Sequence, residues 1–268
     1  MVRYYTQEVE VVSVLLRIRV ESSPDAAVRL TCNAGAVYCK NMKFVLFDID
    51  GTLIDSGGAG LRALNHAFKE MFSVPEAFKG ISMAGKTDPQ IIGEGLRLHG
   101  IKCSNGVVPE VIDRYLKHLE GNIDPLKGHV MAGIRDALDL LASDDAYLLG
   151  LLSGNVTRGA RIKLEAYDLS QYFSIGAFGD DDADRKMLLP IALKKLREDK
   201  AVSLAYSDCV VIGDTPRDIE CSKPYGAFAM AVATGPYPYG VLTEAGADIV
   251  FEDLSDTQTL MSTLAQLQ

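Results

Sequence analysis

An open parallel α/β sheet with a helical unit inserted near its start is the fold that this 268-residue chain predicts, and three observations predict it. Short apolar runs recur, each followed by a small or acidic residue. Stretches of helical spacing lie between them. One gap, of about seventy residues, is far longer than the dozen or so that a simple crossover needs.

Taken in order, residues 1–41 offer one short β-prone run and then a mixture without clear period, so this extension is expected to be poorly ordered, with an added edge strand as the alternative. At Met42 the pattern changes to Met-Lys-Phe-Val-Leu-Phe-Asp, and both the functional domain and the natural translation start are placed there. Phe44–Phe47 runs into Asp48, Leu148–Leu152 into Ser153-Gly154-Asn155, Val210–Ile212 into Gly213-Asp214, and Phe228–Val232 into Ala233-Thr234-Gly235. Unbroken apolar runs of this length suit strands buried on both faces, as in a parallel sheet. Apolar residues at i, i+3 and i+4 predict helices over 131–143, 157–167 and 186–197. Three more helices are expected in the long gap, over 60–72, 88–98 and 107–119, with Gly80, Gly85, Gly100 and Gly106 as breaks. The division is therefore 1–41 extension, 42–56 with 128–268 core, and 57–127 helical cap, entered through a glycine-rich hinge at Gly57-Gly58-Ala59-Gly60. A lid of that kind excludes water and adds substrate contacts.

Composition narrows the function. The net charge of −9 repels phosphate backbones and anionic lipid, so neither nucleic acid nor a membrane is expected as partner. No apolar run reaches the ~18 residues that span a bilayer, and Arg17 and Arg19 spoil 11–20 as a signal sequence. Five cysteines without C-x-x-C spacing suggest a reducing, cytoplasmic setting, and the four histidines show no metal-ligand spacing. An anionic substrate therefore has to be held by a local cation cluster or a metal.

In an open α/β sheet, ligands bind beyond the carboxyl ends of the strands, where the polar residues above gather. Asp48-Ile49-Asp50-Gly51-Thr52-Leu53 ends the first run. Asp50-Gly51 alone can also be read as no more than a hairpin turn. With one residue between them, however, Asp48 and Asp50 leave the same side of an extended backbone, so one can attack a group while the other handles a proton.

This pattern resembles the haloacid dehalogenase superfamily, in its phosphatase branch with a helical cap, over nearly all of 43–251. Besides D-x-D-G-T-L, the resemblance rests on Leu152-Ser153-Gly154-Asn155, on the basic residue in Asp184-Arg185-Lys186, and on Gly213-Asp214-Thr215-Pro216-Arg217-Asp218, in the family's order. It implies a Rossmann-like core and an aspartyl-phosphate mechanism. Asp48 would be the nucleophile and Asp50 the acid and base. Ser153 and the Gly154 amide would hold the phosphoryl oxygens. Mg²⁺ would sit on Asp48, the main-chain carbonyl of Asp50 and Asp214, with Asp218 supporting the metal or orienting the basic residue. Arg185 fills the basic position by register, with Lys186 as the alternative. Gly154, Asn155, Lys86 and Thr52 are the candidate substrate contacts.

Electrostatics makes the same demand. Carboxylates 48, 50, 214 and 218 brought together repel by about 4 kcal/mol per pair at 4 Å in a dielectric of 20, which a hard divalent cation and a basic side chain relieve. A serine-hydrolase reading of Ser153 fails because Gly150-Leu-Leu-Ser-Gly154 is not G-x-S-x-G. Lys86, before a helix start capped by Thr87 or Asp88, either meets the substrate's distal anion or is simply solvated. The expected activity is Mg²⁺-dependent hydrolysis of a small phosphorylated metabolite, phosphoglycolate phosphatase-like, by a monomer or homodimer. A phosphosugar mutase on the same scaffold and a phospho-acceptor signalling module are the alternatives.

Overall fold

The computed structural model describes residues 4–11, 14–21, 29–31, 37–39, 42–104 and 106–267. In the N-terminal segment, β1 (Tyr4–Val11), β2 (Val14–Glu21), β3 (Arg29–Thr31) and β4 (Val37–Cys39) pair in sequence order as an antiparallel sheet. Register sets Val9 opposite Leu16 and Glu8 opposite Arg17. The expectation for the rest of residues 1–41 lies outside the described residues.

From residue 42 onward the chain builds a six-stranded parallel sheet. β5 (Lys43–Phe47) leads through the two-residue β6 (Ile54–Asp55) into three helices, α1 (Ala59–Phe72), α2 (Asp88–Leu98) and α3 (Val107–Asn122). β7 (His129–Val130) returns beside β6 in an antiparallel ribbon, pairing Ile54 with Val130. There follow α4 (Ile134–Ala142), β8 (Tyr147–Leu152), α5 (Thr157–Ala166), β9 (Gly176–Ala177), α6 (Leu188–Lys200), β10 (Cys209–Gly213), α7 (Pro216–Ser222), β11 (Phe228–Val232), α8 (Tyr239–Glu244), β12 (Ile249–Phe251) and α9 (Thr257–Ala265). The strand order is β12-β11-β10-β5-β8-β9. From β5 the chain moves outward through β8 to β9, then crosses back to β10 and moves outward the other way. The reversal falls between β5 and β10, the switch point at which such sheets open a crevice.

Both faces of this sheet are covered, which is why its strands read as unbroken apolar runs. Val45 and Phe47 pack with Leu138 of α4 and Leu164 of α5, while Phe44 and Leu46 pack with Leu189 and Leu196 of α6. The inserted helices close over a separate apolar cluster that includes Leu64, Phe68, Ile92, Tyr115 and Leu119. No described helix is long and apolar enough to cross a membrane.

Candidate active site

The switch point brings together the ends of β5 and β10. The Asp48 amide donates to the Ile212 carbonyl at 2.9 Å, fixing the first residue beyond β5 beside the last residues of β10. Residues 49–54 then fold into a tight turn, with the Leu53 and Ile54 amides on the Ile49 carbonyl at 2.9 and 3.0 Å. The stretch is thus neither an extended strand nor a hairpin, because β5 pairs only with parallel neighbours. Asp48 and Asp50 still line one cavity of about 430 Å³. Gly51 is demanded twice over: its φ is +82°, and a Cβ there would lie 2.4 Å from Asp214 Oδ2.

Three carboxylates, Asp48, Asp214 and Asp218, bring oxygens within 4.8 Å of one another, all buried. Arg185, also buried, bridges two of them, with Nη2 3.2 Å from Asp48 and 2.5 Å from Asp218. Asp218 is otherwise saturated: its second oxygen accepts from the Thr215 amide at 3.1 Å and hydroxyl at 2.7 Å. Its geometry therefore suits orienting Arg185. Asp214 differs. Its Oδ1 accepts from Thr52 Oγ1 at 3.2 Å, but its Oδ2 is buried without a hydrogen-bond partner, between Gly51 and Gly235, where a Cβ on Gly235 would stand 1.7 Å away.

Burial pushes Asp214 up to about 8, with Asp218 and Asp48 adding repulsion. Burial likewise lifts Asp48 to about 6; Arg185 and the hydroxyl of Ser153 pull against it. Burial works against the charge of Arg185, yet Asp218 and Asp48 outweigh it and hold the guanidinium above its usual range. Three clustered acids against one cation, with one oxygen orphaned, is a donor set that fits a hard divalent ion.

Asp50 stands apart from that cluster, so the expected convergence of four carboxylates is really of three. Its oxygens lie 2.8 and 2.6 Å from Lys163 Nζ, and Asn155 Nδ2 donates to Oδ2 at 2.8 Å. Asn155 Nδ2 also reaches Ser153 Oγ at 3.0 Å. Lys163, in the last turn of α5 and eight residues beyond Asn155, was not legible as a site residue. Its only sequence signal was a lysine on the helix that follows the Ser-Gly-Asn turn.

The inserted helices dock onto this face through the turn before α2. The Asp88 amide donates to the Gly154 carbonyl at 2.7 Å, the Val156 amide to Asp88 Oδ2 at 2.8 Å, and the Thr87 hydroxyl to the Ala183 carbonyl at 2.8 Å. Thr87, rather than Asp88, caps α2, in a box with Gln90. Burial lifts Asp88 to about 6, offset in part by Lys163 and the Val156 amide. Gly154 is needed here, since a Cβ would meet the Lys86 carbonyl oxygen at 2.1 Å.

Other candidates fall elsewhere. Lys186 leaves the site: its side chain is 56% exposed and faces Glu220, because Arg185 takes the inward position of the short turn before α6. Thr52 is buried with its hydroxyl committed to Asp214, so it supports an acid and does not face a substrate. Lys86 lines the cavity and is not solvated, but its ammonium is paired with Glu94 at 2.6 Å.

A family model for haloacid dehalogenase-like hydrolases matches residues 45–232. The chain belongs to that family. It is 26% identical over 231 residues to a phosphoglycolate phosphatase of Chromobacterium violaceum, covering 83% of this chain and 97% of that one. A phosphoglycolate phosphatase of Aliivibrio fischeri is 23% identical, covering 83% of this chain and 98% of its own. Among solved structures, a hydrolase from Pseudomonas syringae superposes with a TM-score of 0.61 at 21% identity, covering 83% and 98% of the two chains. CbbY from Rhodobacter sphaeroides, solved in complex with phosphate, gives 0.60 at 17% identity, covering 80% and 96%. These structures share the fold.

Proposed function

We propose that this hydrolase is a phosphatase of small phosphomonoesters, phosphoglycolate phosphatase-like, that works through an aspartyl phosphate on Asp48. The observation that carries the reading is the pairing of Asp48 with Arg185 beside the orphaned oxygen of Asp214. The relatives named phosphoglycolate phosphatase support the substrate class.

In this reading residues 57–127 act as a cap on the core of 42–56 and 128–268. An Asp48 oxygen attacks phosphorus and the ester oxygen departs, taking a proton from Asp50. Water then attacks the same phosphorus as Asp50 accepts its proton, and the Asp48 carboxylate is released with inorganic phosphate. Ser153 and the Gly154 amide hold the phosphoryl oxygens, and Arg185 offsets their charge. Asp48, Asp214 and the Asp50 carbonyl would hold Mg²⁺, which when bound neutralises the clustered acids and the phosphoryl charge. Asp218 serves by orienting Arg185. A cytoplasmic location accords with the free thiols of Cys103, Cys209 and Cys221.

The test is phosphate release from 2-phosphoglycolate and p-nitrophenyl phosphate with Mg²⁺, run in ¹⁸O-labelled water. Hydrolysis places one labelled oxygen in each phosphate, and Asp48→Asn lowers turnover by about a thousandfold or more. Full turnover by Asp48→Asn, or label-free transfer of phosphate to a sugar hydroxyl, contradicts the reading.

A further inference from the structure

The ammonium of Lys163 is 5% exposed at the side-chain level, whereas the carboxylate it grips, Asp50, is 44% exposed toward the cavity. A buried cation spends desolvation energy that a surface ion pair does not need, so a lysine held in this way fixes its partner's position. The grip is triangulated. Nζ bonds both oxygens of Asp50 and, at 2.7 Å, the Oδ1 of Asn155, whose amide nitrogen bonds Asp50 from the other side and Ser153 as well. The carboxylate can neither rotate about its last bond nor swing toward Arg185 without breaking one of these contacts. Overhead, a side chain on Gly60 of α1 would come within 3.7 Å of Nζ, so the inserted helices close directly on the clamp.

We propose that Lys163 is a positioning residue that fixes the orientation of the Asp50 carboxylate toward the water that hydrolyses the aspartyl phosphate. This rests on the reading of Asp48 as nucleophile and Asp50 as proton carrier. In that step water loses a proton to Asp50 Oδ while its oxygen bonds to phosphorus and the Asp48 oxygen leaves, so a freely rotating Asp50 slows this step in particular. Loading of Asp48 from an aryl phosphate needs no such help, because nitrophenolate leaves unprotonated.

The experiment uses the full chain with Mg²⁺ and p-nitrophenyl phosphate in a stopped-flow instrument. Lys163→Met keeps kcat/KM within about threefold but lowers kcat by about thirtyfold or more, and nitrophenolate appears in a burst of about one equivalent per site. Asp50→Asn gives the same burst, and adding Lys163→Met to it lowers kcat no further. Lys163→Arg, which restores a charged donor, recovers part of kcat. Thermal melts establish that each variant is folded. If kcat and kcat/KM fall together without a burst, if both stay unchanged, or if Arg performs no better than Met, the lysine is structural and the proposal fails. Failure of the parent reading looks different: the unsubstituted protein releases no phosphate, or Asp48→Asn remains active.

Discussion

On one side of the cavity Asp48, Asp214 and Asp218 share a single guanidinium and leave one buried oxygen without a partner. On the other side Asp50 and Asp88 face one ammonium, and neither has a buried oxygen left unbonded among the described residues. The first half is electrically incomplete as it stands, and burial expresses this by pushing Asp214 up to about 8. The second half is closed by the protein's own groups. A ligand of positive charge thus fits the first half, and in the proposed mechanism Asp50 stands nearby without competing for it.

The sharpest way to break this contrast is Asp214→Asn. It removes the buried acid whose Oδ2 has no partner, so in a chelator the variant melts no lower than the parent. With saturating Mg²⁺ the parent gains on the order of 5 °C, as expected when ligand exceeds its dissociation constant about a hundredfold, and the variant does not. Phosphatase activity falls by about a hundredfold or more. Equal Mg²⁺ shifts in both proteins in a melting scan place the ion elsewhere.

Gly154→Ala tests how the two halves are held under the inserted helices. The new methyl collides with the Lys86 carbonyl, so the turn at Gly85–Asp88 has to retreat and its bonds to Gly154 and Val156 weaken. A loss of about 1–3 kcal/mol in urea unfolding and a fall of about tenfold in kcat/KM are expected. Unchanged kinetics in such a destabilised variant separates docking from catalysis.

The effect most specific to the closed half, with the least expected change in activity, concerns Asp88. Its carboxyl is lifted from 3.8 to about 6, so between these values the folded protein holds a proton that the unfolded chain has released, and stability falls as pH rises. Asp88→Asn keeps an oxygen for the Val156 amide and has no such slope. Relative to the parent, the variant gains up to about 3 kcal/mol between pH 4 and pH 7, read from urea midpoints in chelator. A difference that is flat with pH means Asp88 does not carry the burial cost.

The sheet was largely legible because its strands are buried on both faces and end where chemistry begins: Phe44–Phe47, Leu148–Leu152, Val210–Ile212 and Phe228–Val232 all fall within or on observed strands. The helices of the insertion followed from their period for the same reason. The two-residue strands β6, β7 and β9 and the three residues of β12 were not foreseen, since so short a run carries no period. In the site, Asp48, Ser153 and Asp214 stand just past strand ends fixed by register, and Arg185 in the short turn before α6, and the motif spacing could reach them. Lys163 sits on a helix whose register against Asp50 depends on packing between α5 and the Asp48 turn, and nothing local in the chain encodes that. The placements of Thr52 and of Lys186, the alternative to Arg185, depend on the same kind of packing. Which way a side chain turns is decided by its neighbours in space: Asp214 draws in Thr52, and Arg185 displaces Lys186 outward.

The ribbon of β6 and β7 has a consequence for how the molecule can vary. Ile54 and Val130 are paired across it, and a Cβ on Gly57 would stand 2.1 Å from the Lys127 carbonyl oxygen, so the chain departs and returns through a single doorway. Topologically the helices between are a side branch. Their length can change without reordering one strand of the sheet, and in the proposed mechanism the residues that perform the chemistry stay on the trunk.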